Sequence, residues 1–160
     1  MVATPEIPTA RLTVATAEIA ADTTTIRSLD WDRSRFDIEF GLQNGTTYNS
    51  FVIQGEKTAL VDTSHAKFRS LYLETLRNTI DPATIDYLII SHTEPDHSGL
   101  VGEILDMVPE VTVVGSKVAI QFLEGFLHRP FKRLQVKSGE TLDLGNGHVI
   151  EFVSAPNLPW

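Results

Sequence analysis

Positions 91 to 100 read SHTEPDHSGL, and His92, Glu94, Asp96 and His97 stand within six of them. Imidazole nitrogens and carboxylate oxygens are the donors that hold divalent ions such as zinc, iron and manganese. Residues at i and i+2 point to one side where the backbone is extended. His92 and Glu94 can therefore serve one ion, and Asp96 with His97 can serve that ion or a neighbour. Pro95 fixes its own φ and biases Glu94 toward an extended shape. Gly99 permits a turn that other residues resist. A plainer reading uses Asp96 and Ser98 only as start residues of a helix beginning near Ser98. Four donors in six positions, directly after a buried-looking strand, favour the metal reading.

The elements that must position this loop follow from periodicity. IDYLIIS, ending at Ser91, reads as a short central strand, and α/β folds commonly place sites at strand ends. Upstream, RFDIEFGL alternates, with Phe36, Ile38 and Phe40 on one face and Asp37 and Glu39 on the other. Asn44-Gly45 is a hairpin signal. TYNSFVIQG and KTALVDT add two strands, and the three together predict an antiparallel meander. The period then changes: Phe68, Leu71, Leu73, Leu76 and Ile80 form a helical stripe. Thr63 or Ser64 is its expected cap and Asp81-Pro82 its boundary.

Downstream of the motif, GLVGEILDMV is a helix, VTVVG a strand and SKVAIQFLEGFL a helix capped by Ser116; three short strands follow, with turns at SG and GNG. Residues 1–24 read as a loose leader, carrying Pro5 and Pro8, with the first strand region; residues 25–160 read as one domain. The plan is a layered α/β fold, a mixed sheet with helices outside. The ending SAPNLPW takes a strand into a Pro-containing loop, the expectation for a truncated domain.

Composition removes several alternatives. A net charge of −8 and a pI near 5.0 argue against nucleic-acid or anionic-membrane partners, which want a basic surface. With no cysteine there is no disulfide, thiolate nucleophile or Cys-held cluster, so a metal must be held by His, Asp and Glu. No apolar run approaches the ~18 residues of a membrane helix. The N-terminus lacks the pattern of a secretory signal. A cytoplasmic location is the default expectation.

Asp62, ending the VDT strand, reads either as a partner that orients a metal ligand or as a strand-end acid in a turn. His65 is expected to face solvent, and His128 and His148 to be structural or exposed. VGSKVAI could open an anion-binding helix, but a Ser cap explains it as well. Trp31 and Trp160 are expected to pack.

HTEPDH resembles the H-x-E-x-D-H motif of flavodiiron proteins, whose metal domain has the metallo-β-lactamase-like αββα fold. Hydrolases of that superfamily carry H-x-H-x-D-H, so Glu94 is the discriminating residue; its anionic oxygen shifts the set toward iron. TTYNSFVIQGEKTALVDT is similar to the superfamily's opening strands, with Asp62 where the fold places an acid beneath the site. SLDWDRSRFDIEFGLQNGTTYNS and APNLPW look most like the cyanobacterial, photosynthetic branch. The resemblance implies a non-haem diiron centre that reduces O₂ to water, or nitric oxide in some relatives. It implies electrons from an FMN in a flavodoxin-like domain downstream. A head-to-tail dimer places one subunit's FMN beside the other's irons.

Carried over, His92 and Glu94 bind one iron and Asp96 the other, while some members leave the histidine at His97 off the metal. The family's next ligand is a histidine in LHW, where this chain has LPW with Pro159. The remaining ligands are expected beyond Trp160. The isolated chain is therefore expected to bind metal weakly and not to turn over O₂. Two alternatives stay open: a metal-dependent hydrolase of the same fold, using metal-bound hydroxide, and a non-catalytic remnant.

Overall fold

The computed structural model describes residues 11–36 and 40–155. Among the described residues the strands are β1 (Leu12–Ala20), β2 (Thr23–Asp30), β3 (Arg35–Phe36), β4 (Phe40–Gly41), β5 (Thr46–Gln54), β6 (Thr58–Val61), β7 (Ile85–Ile89), β8 (Thr112–Ser116), β9 (Lys132–Val136), β10 (Thr141–Gly145) and β11 (His148–Glu151). The α-helices are α1 (Arg69–Thr79), α2 (Pro95–Ser98), α3 (Val101–Met107) and α4 (Lys117–Leu127).

One seven-stranded sheet runs in the order β1-β2-β5-β6-β7-β8-β9. Its first four strands are antiparallel and its last four parallel. The change comes where short turns give way to crossovers through α1, α3 and α4, because parallel neighbours need a long return. Registry places Leu60, Leu88 and Val113 in one row across β6, β7 and β8, and Val61, Ile89 and Val114 in the next. Side chains alternate along a strand, so the two rows face opposite sides. The first row joins Phe68, Tyr72, Leu76, Ile104, Ile120 and Leu123 beneath the helices. On the other face, Ala59, Ile89 and Val114 pack with Leu144 from the β10–β11 hairpin. Each fully buried Leu or Val contributes about 1.5–3 kcal/mol relative to exposure.

The first strand, β1, lies within the 1–24 region expected to carry it, and β2 follows from Thr23. Several other expectations are corrected. Residues 1–10 and 156–160, which include Pro5, Pro8, Pro159 and Trp160, lie outside the described residues. RFDIEFGL is not one strand: Arg35–Phe36 pairs with Phe40–Gly41 as a small ribbon, and Asp37, Ile38 and Glu39 lie outside the described residues. The meander is therefore β1-β2-β5-β6, with this ribbon looped out of it. In α1 the core stripe is Phe68, Tyr72, Leu76 and Ile80, whereas Leu71 is 40% exposed. Ser116 does cap α4, its hydroxyl accepting from the Ala119 N–H at 3.1 Å.

Candidate metal centre

The motif loop leaves β7 at the end where the parallel strands finish. The Ile90 N–H still donates to the Val114 carbonyl at 2.8 Å, so the sheet holds the chain up to Ser91. Glu94 is extended, with φ −64° and ψ 153°, as the residue before a proline should be. Pro95 then opens α2, where a missing N–H costs nothing. A short helix, α2, thus opens at Pro95 and closes on buried Ser98, and the helix expected near Ser98 follows as α3 from Val101. Ser98 turns its hydroxyl back onto the carbonyls of Thr93 (2.8 Å) and Glu94 (3.1 Å). The capping interpretation gains no support, since no side chain caps either α2 or α3.

Beneath the loop lies the turn after β6. The Asp62 N–H donates to the Ile89 carbonyl at 2.7 Å, and φ 57° at Asp62 turns the chain under the motif. Asp62 is buried, and its carboxylate accepts from the Ser91 N–H at 2.8 Å and from the Ser91 hydroxyl. The same carboxylate meets His97 Nδ1 at 2.9 Å. That hydrogen bond holds the His97 imidazole above its ordinary pKa, against the opposite pull of burial; the charges of Asp62, Asp96 and Glu94 add to it. With Nδ1–H engaged by Asp62, Nε2 is the nitrogen left for a ligand. It faces Asp96, 3.6 Å from Oδ2.

His92 lies on the same side, its ring centroid 5.5 Å from that of His97. Its Nδ1 accepts from the Glu94 N–H at 3.1 Å. All four motif residues are half-buried. The structure therefore brings Asp96, His97 and His92 together over Asp62, with Glu94 close enough to act on the His97 charge. Among the described residues, no three His, Asp or Glu side chains are gathered as a ligand set for one ion. The residues fit a divalent ion in donor type and in the carboxylate behind the imidazole. The His92–Glu94 hydrogen bond keeps one donor turned to the backbone.

The motif opens onto a cleft of about 990 Å³, which includes Ser91, His92, Thr93, Val136 and Phe152 in its walls. On the other side, His65 corrects the expectation of a solvent-facing ring. It is half-buried, stacks on Tyr48 with centroids 6.0 Å apart, and accepts from the Lys67 N–H at 3.2 Å. Burial holds its pKa below the ordinary value, helped by the charges of Lys67 and Arg33. Tyr48 donates to buried Asp30, which also pairs with Lys67, and burial pushes the phenol up to about 12. Thr63 and Ser64, the expected helix caps, are fully buried instead. Ser64 donates to the Ser28 hydroxyl at 2.8 Å, and Thr63 contacts the motif itself. His128 ends α4 in the left-handed region, and His148 pairs with Asp22 at 3.3 Å. Trp31 is 45% exposed rather than packed, with its indole N–H on Thr13.

A family model described as ODP family beta lactamase matches residues 46–158. The chain belongs to this family. Diflavin flavoprotein A 1 of Synechocystis sp. is 66% identical over all of this chain, which covers 28% of that protein. A metal-soaked flavodiiron core from Synechocystis sp. superposes with a TM-score of 0.83 at 36% identity, over 89% of this chain and 36% of that one. Rubredoxin oxygen:oxidoreductase from Desulfovibrio gigas gives a TM-score of 0.80 at 30% identity, over 87% and 35%. The fold is thus the metallo-β-lactamase-like one of flavodiiron cores, and the flavodiiron resemblance extends through the whole chain. The chain spans between a quarter and a third of the length of the Synechocystis diflavin flavoprotein.

Three residues at the site escaped the sequence: Thr63, Ser91 and Ser98. Thr63 and Ser98 are small hydroxyls buried beside the motif, and all three bond to it. The available signal was their adjacency to Asp62 and to the motif histidines.

Proposed function

We propose that this ODP-family chain is part of the metal domain of a flavodiiron oxidoreductase that reduces O₂ to water. The placement of HTEPDH at the end of β7, with Asp62 behind His97, carries this reading. His92 and Glu94 are the proposed ligands of one iron and Asp96 of the other, with His97 beside them. A pair of ferrous ions held there would supply two of the four electrons that carry O₂ to water, and the FMN of the proposed longer protein would supply the other two. The chain's own part is to place donors. Asp62 fixes the His97 ring, and the two motif carboxylates provide the anionic oxygens that suit iron over zinc. FMN, the head-to-tail assembly and the cytoplasmic setting belong to the proposed longer protein; among the described residues no helix is long and apolar enough to cross a membrane.

Anaerobic titration of the chain with ferrous iron tests the site. Weak binding is expected, lost in His92→Ala, Glu94→Ala and Asp96→Ala and kept in His128→Ala. Iron binding that ignores all three motif substitutions overturns the assignment.

A further inference from the structure

We propose that Thr63 is a positioning residue for His97, fixing the backbone that presents its imidazole. Thr63 is fully buried. Its N–H and its hydroxyl both donate to the same acceptor, the His97 carbonyl, each at 2.7 Å. Its oxygen in turn accepts from the Leu100 N–H at 3.2 Å. One hydroxyl thereby uses its donor and an acceptor site, and joins the end of α2 to the start of α3.

The residue before it, Asp62, holds the ring of the same histidine at 2.9 Å. Two successive residues of the β6 turn thus grip His97 at two points, one on its ring and one on its carbonyl. A glycine lets the two backbones close. A Cβ at Gly99 would lie 2.3 Å from the Pro95 carbonyl oxygen and 2.8 Å from that of Ser64. The grip is therefore built into the main chain, and the Thr63 hydroxyl is its side-chain component. Without it, the His97 carbonyl keeps one donor of two and the Leu100 N–H loses its partner.

The value of this for metal binding rests on the proposed function, so the test separates the two. Thr63→Val removes the hydroxyl at nearly constant shape, Thr63→Ser keeps it, and Leu76→Val is a core control remote from the motif. The first readout, on metal-free protein, is the exchange rate of the His97 Nδ1 proton by NMR. The second is Co(II) affinity followed by absorption.

Wild type and Thr63→Ser should show a slowly exchanging ring proton and equal affinity. Thr63→Val should lose the slow proton and bind Co(II) about tenfold or more weakly, the usual range for partners that orient ligands. Leu76→Val should change neither. Retention of the slow proton or of wild-type affinity by Thr63→Val overturns the proposal, as does equal loss in Leu76→Val. A wild type that binds no Co(II) but shows the expected proton pattern overturns the metal reading and leaves the positioning of His97 standing.

Discussion

Asp62 has two properties that no other residue type combines. Its φ of 57° falls in the left-handed region that Asp and Asn enter more readily than other side chains. Its charge meets Ser91 and His97. Asp62→Asn keeps the first property and loses the second; Asp62→Ala loses both. In urea unfolding, Asp62→Ala should be the less stable by about 1–2 kcal/mol, the cost of a left-handed residue. Equal stabilities would show that the turn is not strained there. His65 makes a pH prediction. Its folded pKa lies below the ordinary 6.5, so the folded state resists protonation that the unfolded chain accepts. The resulting stability is present above about pH 6.5 and is lost as pH falls through the lower, folded pKa. Between pH 7.5 and 5, wild type should lose more stability than His65→Asn, which keeps an acceptor for the Lys67 N–H. Parallel losses would remove His65 as the cause. The sequence showed a lone histidine near a helix start; only the fold laid its ring on Tyr48.

At the scale of elements, close approach matters more than turn type. Gly99 was expected to serve a turn that other residues resist, yet its φ is −63°, open to any residue. Glycine is needed because α2 lies against the β6 turn, where the nearest atoms are rigid backbone. Gly99→Ala should cost about 1–3 kcal/mol as overpacking, read by thermal melting. A variant as stable as wild type would mean that the loop moves aside freely. Helix α4 makes the complementary point. Leu123 is 2% exposed in the core, whereas Phe126, less than a turn further on, is 69% exposed. Leu123→Ala should cost about 2–5 kcal/mol and Phe126→Ser within about 0.5 kcal/mol. Periodicity found both helices. It placed Leu71 in the buried stripe of α1, next to the equally large Tyr72. Packing chose Tyr72, whose hydroxyl finds Ser50 at 2.8 Å when its ring is buried.

At the scale of the molecule, stability resides in two apolar clusters on opposite faces of one sheet, not in the motif. Chelation with EDTA should therefore leave the melting temperature of this ODP-family chain within about a degree of its untreated value. Leu88→Ala, at the middle of the helix-side face, should lower stability by about 2–5 kcal/mol. A large drop on chelation would show that bound metal is part of the folding energy, as it is in small metal-stapled domains.

The sequence by itself named the candidate donors and determined the strand that leads into them, the capping of α4 and the mixed α/β plan, because each follows from residue type and local period. It also determined the family resemblance, through Glu94 within HTEPDH. The tertiary structure decided what lies between distant positions. It brought Asp62 and Thr63, some 35 residues earlier, under His97. It split RFDIEFGL into a small ribbon and set a short extra helix, α2, ahead of the expected one. These outcomes depend on which backbones come within hydrogen-bond reach after the sheet has formed, and no local pattern encodes that.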